Sequence, residues 1–267
     1  MAARTIDEVL AALDDVVARA IRERNRVGYF AALYRTVTAK VHDGIVAGFF
    51  DDGARMEQLD VVFANRYLDA LAAYEHGEQP TRSWLVAFDA AARWRPLILQ
   101  HLLLAINAHI NLDLGIAAAQ TAPGDALGGL RRDFDRINEI LAALVGDVRR
   151  DVGDLSPWIG LANRSGGRHG DAVVNFSLTV ARGEAWRFAT ELAPIPADQH
   201  DGPIRTRDEQ VARLAAKVLH PGLLSGALLL VRLRERGDVA HAIRTLGRLP
   251  PPALEAVEAR VRDQRAP

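Results

Sequence analysis

A histidine and an aspartate four residues apart, His109 and Asp113, lie within an otherwise apolar stretch, QHLLLAINAHINLDLG at residues 100–115. On an α-helix this spacing places an imidazole and a carboxylate on one face. Such a pair suits a structural hydrogen bond inside a helix bundle, coordination of a metal ion, or acid–base chemistry. We predict that both residues are catalytic. The residue types alone do not decide between a structural hydrogen bond, metal coordination and acid–base chemistry.

The other polar side chains of this stretch fall on different sides of the helix. At about 100° per residue, the amides form a second stripe, which consists of Gln100, Asn107 and Asn111. His101 lies about 12 Å of helix rise from His109, too far for both to ligate one ion. Two polar stripes separated by apolar residues indicate a helix surrounded by other helices. His101, Asn107 and Asn111 are predicted ligand-binding residues.

An inward-facing arginine is the expected partner of the histidine and the aspartate. In the segment MEQLDVVFANRYLDAL, residues 56–71, Arg66 falls within the apolar stripe of a helix. A buried guanidinium needs a carboxylate, a carbonyl cluster or an anionic ligand, and Asp113 or Asp135 is the predicted partner. Arg66 is therefore the third predicted catalytic residue. If a divalent metal is the cofactor, Asp135 is predicted to ligate it together with His109 and Asp113.

Four further residues fall on or beside the apolar faces of other helices and are predicted to bind a ligand. They are Trp94, Asn138, Arg182 and Trp186. Tryptophans commonly wall a pocket, and a second internal arginine can hold an anionic group. The alternative is that the arginine forms a structural ion pair and that the tryptophans belong to the core.

The elements that must position these residues are helices, because apolar residues recur at helical spacing and strand alternation never lasts beyond a few residues. The predicted helices cover about residues 6–22, 29–50, 56–74, a segment from 84, 96–121, 131–152, 171–192, 206–219, 223–236, 238–246 and 253–264. We predict an all-α, multi-helix bundle with a central buried helix at about 96–121.

The length of 267 residues suffices for one large domain. The proline-containing loop predicted at 193–205 could mark a boundary, so that a C-terminal helical subdomain would begin at about residue 206. Such loops also occur inside helical domains. We predict a single α-helical domain over residues 1–267.

Composition narrows the classes of function. The absence of cysteine excludes a thiol nucleophile, a cysteine zinc site and disulfides, and a net charge of -1 offers no basic surface for nucleic acid. The uncharged run from Pro96 to Leu112 has 17 residues, but its three amides and two histidines favour a buried helix over a membrane span. The N-terminal residues lack the pattern of an export signal. We predict a cytoplasmic protein with a small-molecule ligand and leave its oligomeric state open.

Five segments together resemble a family of helical, mainly actinobacterial proteins, the domain of unknown function 5995. They are YFAALYRTVT near residue 29, MEQLDVVFANRYLDAL near 56, QHLLLAINAHINLDLG near 100, DFDRINEIL near 133 and ARGEAWRFATELA near 181. HINLDLG is the specific element of the resemblance, which covers about residues 25–247. The resemblance implies an α-helical protein and carries no reaction with it.

Two classes of function follow from these residues. The first is an enzyme for small-molecule or lipid-like substrates, with a polar His/Asp/Arg pocket between helices and a divalent metal as one option for a cofactor. The alternative is a non-catalytic helical protein that binds a ligand or partner and whose buried polar residues are structural. The enzyme requires that His109, Asp113, Arg66 and a carboxylate from a second helix converge on an accessible cavity.

Overall fold

The structure is a computed structural model, which describes residues 2–156, 178–220, 225–235 and 238–247, with only the backbone at 225–228. Its helices are α1 (Ile6–Glu23), α2 (Val27–Val46), α3 (Gly53–Glu75), α4 (Arg82–Ala91), α5 (Ile98–Ala108), α6 (Leu114–Thr121), α7 (Leu127–Leu155), α8 (described at 178–192), α9 (Asp201–Leu219), α10 (Ser225–Arg232) and α11 (Val239–Leu246). These ranges contain no strand, which confirms the all-α prediction. Helix α7 extends to Leu155, three residues beyond its predicted end, and residues 157–177 lie outside the described residues, as does the helix predicted at 253–264.

The observed helix ends depart from the predicted ones where backbone chemistry overrides side-chain periodicity. Helix α2 ends at Val46 instead of near residue 50, because Gly48 adopts a φ of 69° and Phe49 N bonds Gly44 O at 2.9 Å. This is the usual way in which a glycine terminates a helix. Helix α9 begins at Asp201, inside the predicted loop, and Pro203 falls in its first turn, where a missing N–H costs nothing.

A nearly continuous helix, α5 followed by α6, runs through the centre of the molecule. The span Ile98–Thr121 is long and apolar enough to cross a membrane, but 78% of its most apolar 18-residue window is buried among the other helices. Burial of this kind is typical of the core helix of a soluble protein. The prediction of a central buried helix is therefore confirmed, with its start at Ile98.

Four neighbouring helices fix the position of the central helix. Helix α5 packs on α4 and α9, while α6 packs on α3. Gly115 in α6 touches α8, since a Cβ there would lie 2.7 Å from the carbonyl oxygen of Ala185. Only glycine permits this approach of the two backbones. How the chain divides into domains stays a prediction.

Candidate functional site

The π-helical turn His109–Asp113 joins α5 to α6 and carries the predicted histidine and aspartate at its two ends. Leu114 N donates to His109 O, a bond that spans five residues instead of four. Turns of this type often occur at functional sites. His109 Nδ1 lies 3.9 Å from Asp113 Oδ2, which is beyond hydrogen-bond length, and the two residues are only 4% and 1% exposed.

Two donors from neighbouring helices hold the Asp113 carboxylate. Arg66 Nε in α3 donates to Oδ1 at 2.8 Å, and Trp84 Nε1 in α4 donates to Oδ2 at 2.7 Å. The Arg66–Asp113 contact predicted from the sequence is confirmed. Charge-assisted bonds of this length fix a carboxylate firmly, so Asp113 presents a fixed negative charge beside His109.

Sequence reasoning missed Trp84, although a signal for it existed. Trp84, Ala87, Phe88 and Ala91 follow one another at helical spacing and are all buried. A tryptophan on the inward face of a helix needs an acceptor for its indole N–H. Asp113 is that acceptor.

The His109 imidazole sits in an aromatic cage. Its ring stacks on Phe63, with 3.6 Å between the ring centres, and meets Tyr34 and Phe30 edge-on at 4.4 Å and 5.4 Å. Burial lowers the pKa of His109, while the Asp113 carboxylate opposes the shift and Arg66 adds to it. The imidazole is therefore neutral at pH 7. Neither ring nitrogen has a hydrogen-bond partner among the described residues.

More polar atoms without hydrogen bonds surround this cage. Tyr34 Oη approaches Thr38 Oγ1 one turn later, but neither hydroxyl forms a hydrogen bond of normal geometry with a described residue. Asp60 Oδ2 in α3 is also buried and unbonded within the described ranges, and the negative charge of Asp60 acts on Tyr34. Buried polar atoms are nearly always hydrogen-bonded. These unbonded atoms lie in the part of the core where Tyr34 contacts His109.

Asp60 is a second buried carboxyl group in this part of the core, close enough to Tyr34 for its charge to act there, and the sequence did not single it out. Burial raises its pKa to about 7, and the charge of Glu57 adds to the shift. Asp60 therefore exchanges a proton near neutral pH, whereas Asp113 is ion-paired. Asp60 and Phe63 share one face of α3 at a spacing of three residues, which was the available signal.

Asp135 does not join the histidine and the aspartate. It lies on α7, where its Oδ2 accepts from Arg131 Nε at 2.7 Å and its side chain is 45% exposed. No three His, Cys, Asp or Glu side chains in the described part of the chain come together as a metal site. The structure does not bring Asp135 to this pair, because α7 turns its carboxylate toward solvent, and a metal ion at His109 and Asp113 stays a prediction.

The amide stripe of the central helix lies against α9. Gln100 Nε2 donates to Val218 O at 2.8 Å, and Asn107 Nδ2 donates to Val211 O at 3.0 Å. Asn111 Nδ2 donates to Asn107 Oδ1 at 3.0 Å. The amides thus tie two helices together, as their shared stripe predicted. Asn107 and Asn111, which we also predicted to bind a ligand, lie in this interface.

Arginine also reaches the backbone of the π turn. Arg207 Nε in α9 donates to the carbonyl oxygen of Asn111 at 2.9 Å. An irregular turn leaves backbone carbonyls short of helical partners, and an arginine from a neighbouring helix can satisfy one of them. Arg207 thus stabilises the turn that carries His109 and Asp113.

The remaining predicted ligand residues lie at other places. Trp94 follows α4 and is 49% exposed, so Trp84 is the tryptophan that lines the His109 site instead. Arg182 and Trp186 in α8 both contact Phe134 of α7, at 4.4 Å from guanidinium carbon to ring and at 5.0 Å between rings. Asn138, also in α7, keeps a buried Oδ1 without a hydrogen bond to any described residue. His101, only 5% exposed, lines a separate cavity.

Fold and site together define an all-α protein whose central helix carries a buried histidine–aspartate pair in a π turn. Residues 6–221 match the model of a family of unknown function, DUF5995. The match covers well over half of the chain, so the protein belongs to this family, as the five segments indicated. No curated protein matches the chain, and neither does any solved structure.

Proposed function

We propose that the protein is an acid–base enzyme that binds a small molecule between Phe63, Arg66 and His109. One observation carries the proposal: a buried imidazole with no hydrogen bond to any described residue lies 3.9 Å from a carboxylate that two other side chains hold in place. A protein that needed His109 only for packing would gain nothing from its two nitrogens.

The proposed base is His109, and Asp113 is its orienting partner. The neutral imidazole can accept a proton, and the fixed carboxylate stabilises the imidazolium that forms, which partly offsets the cost of burial. Asp60 would donate its own proton to the substrate, because its pKa of about 7 lets it carry one at neutral pH, and His109 would release the accepted proton to solvent. The Tyr34 ring contacts the same imidazole, with 4.4 Å between the ring centres. No metal is part of this proposal.

Arg66 and Phe63 set the expected substrate class. Arg66 uses Nε for Asp113, and its side chain is 23% exposed, so the rest of the guanidinium is available to an anionic group. Phe63 is half-buried and covers the face of the His109 ring. A substrate with an apolar ring or chain and a carboxylate would replace the Phe63 ring and pair with Arg66.

Diethyl pyrocarbonate tests access to His109, because it acylates neutral imidazoles that solvent can reach. Mass spectrometry should find His109 acylated slowly, with the exposed His76 as internal reference. Phe63→Ala should speed the acylation of His109 about tenfold by making local opening easier. Benzoate, the simplest ring that bears a carboxylate, should protect His109 and leave His76 unprotected.

Two outcomes would contradict the enzyme proposal. One is a His109 that stays unmodified in both the wild type and Phe63→Ala while His76 is fully acylated. The other is protection by benzoate that persists in Arg66→Gln, since the carboxylate would then bind somewhere else. A matched control is Arg35→Gln, which removes an arginine that pairs with Asp14 at the surface.

The alternative is a non-catalytic helical protein in which this cluster only locks the helices. The observation in its favour is that both oxygens of Asp113 are already occupied by Arg66 and Trp84. Under this alternative, replacing His109 changes stability alone. The predicted cytoplasmic location is part of neither proposal and stays a prediction.

A further inference from the structure

A small cavity lies between α2, α3, α4 and α5 beside the aromatic cage, and Phe30 lines both the cavity and the cage. The volume within the cavity that the centre of a water molecule can occupy is about 20 Å³. About 10–15 Å³ of such volume is enough for one water molecule. Its wall is mostly apolar. The polar side chains that line it are Arg26, Tyr67 and His101.

All three polar side chains have buried atoms without hydrogen bonds to the described residues. These atoms are Arg26 Nε, Tyr67 Oη and both ring nitrogens of His101. The Pro96 backbone approaches the His101 ring, but without normal hydrogen-bond geometry. Unbonded buried groups from three helices on the wall of one cavity indicate that the cavity is occupied in solution.

The charge around the cavity is positive. Arg26 forms no ion pair with any acidic residue in the part of the chain that the structure describes, and its Nη1 has only a 3.4 Å contact with Ala91 O. Burial, together with the charges of Arg26 and Arg232, lowers the pKa of His101 to about 3. Arg232 is balanced by Glu235 at 2.8 Å. The charge that lacks a counterpart is that of Arg26.

We propose that this cavity binds a small monovalent anion of chloride size. Arg26 Nε–H and Tyr67 O–H donate to it, and His101 donates as well when the cavity-facing nitrogen carries the hydrogen. Arg26 is half-buried, and an anion would pair with its guanidinium in addition to accepting these hydrogen bonds, whereas a water molecule would only form the hydrogen bonds. Larger anions such as phosphate exceed the available space. This site does not depend on the function proposed for His109.

The direct test is crystallographic. Crystals of the full chain soaked in sodium bromide should show an anomalous peak in the cavity, next to Arg26 Nε and Tyr67 Oη. A peak elsewhere only, or a water molecule in the cavity at high bromide concentration, would overturn the proposal.

The effect of chloride on the Tm tests the proposal in solution and allows variants to be compared with the wild type. Replacing sodium gluconate by sodium chloride at constant ionic strength should raise the Tm of the wild type by about 2–4 °C, because the folded state alone binds chloride. Arg26→Gln and Tyr67→Phe should each reduce this shift. If one of these two variants does not fold, the other still tests the proposal. Arg24→Gln, at a site 72% exposed, is the control and should keep the full shift. Equal Tm values of the wild type in both salts would refute chloride binding.

Discussion

The two polar stripes of the central helix differ in how their hydrogen bonds are satisfied. On the α9 side, Gln100 and Asn107 each donate to a backbone carbonyl, and Asn111 bonds Asn107. On the other side, Asp113 is fully engaged, but the neighbouring His109 has two nitrogens without partners in the described ranges. The first stripe therefore needs nothing beyond the protein, whereas the second leaves hydrogen-bonding capacity unused.

This difference in hydrogen bonding distinguishes the amide stripe from the His109 side of the helix more clearly than burial does. His109 and Asn107 are about equally buried, at 4% and 6% exposure. Polar groups that serve the fold are saturated, since an unbonded buried group destabilises the folded state. Unsaturated groups persist in a core where a ligand or a reaction uses them.

Substitution of Asp113 should have the largest effect on stability, because Arg66 and Trp84 both donate hydrogen bonds to its carboxylate. Asp113→Ala leaves Arg66 and the Trp84 indole N–H without their acceptor. We expect a loss of about 3–5 kcal/mol in the free energy of unfolding, measured by urea denaturation. Glu184→Ala, which breaks the exposed pair with Arg187, is the control and should cost less than about 0.5 kcal/mol. Similar losses in both variants would contradict the central role of Asp113.

The pH dependence of stability should follow the neutral histidines. His101 and His109 have lowered pKa values when folded, whereas in the unfolded chain they titrate near 6.5. The unfolded chain then binds more protons below pH 6.5, so stability falls as the pH falls. Asp60, with its pKa raised to about 7, opposes this trend.

His109→Phe isolates one histidine from this balance. As the pH falls below 6.5, the free energy of unfolding of the His109→Phe variant should increase relative to that of the wild type by up to about 1.4 kcal/mol per pH unit. Urea unfolding at a series of pH values from about 8 to 5 gives the slope. A difference between the two proteins that stays constant with pH would show that His109 has the same pKa in the folded and the unfolded chain, and would contradict the lowered pKa.

Asn107→Ala tests the saturated stripe. The substitution removes the bond to Val211 O and leaves Asn111 without its acceptor, so we expect a loss of about 1–2 kcal/mol. Denaturation measures this loss. Acylation of His109 by diethyl pyrocarbonate should keep its wild-type rate, since the amide stripe does not line the His109 site. A changed rate would mean that the two stripes are coupled.

His109→Phe at pH 8 should have the smallest effect on stability. At this pH both the folded and the unfolded chain carry a neutral imidazole. The substitution removes no hydrogen bond and keeps the stacking on Phe63, so the free energy of unfolding should change by less than about 1 kcal/mol. Differential scanning calorimetry is sufficient to measure this. A loss as large as that of Asn107→Ala would favour the structural alternative.

Much of this arrangement could be predicted from the sequence, because it depends on helical periodicity. The angular positions of Asn107, His109 and Asp113 separate the two stripes without a structure. The placement of Arg66 within an apolar stripe predicts a buried acidic partner. Both follow from 3.6 residues per turn and from the cost of unpaired buried charge.

The π turn could not be predicted in this way. No proline interrupts residues 97–122, and the bond from Leu114 N to His109 O results from packing between α5 and its neighbours. The roles of Trp84 and Asp60 were also beyond the sequence, since each depends on a contact between different helices. Asp135 has a spacing suited to a ligand, but tertiary packing leaves it at the surface.

The most direct test of the contrast between the two stripes observes both in one sample. Side-chain NMR of the ¹⁵N-labelled protein follows the His109 imidazole and the Gln100 and Asn107 amides during titration with benzoate. We predict that the His109 nitrogen signals shift in a saturable way while the two amides stay unchanged. Unshifted His109 signals up to the solubility limit of benzoate, or equal shifts on both sides of the helix, would contradict a ligand site at His109.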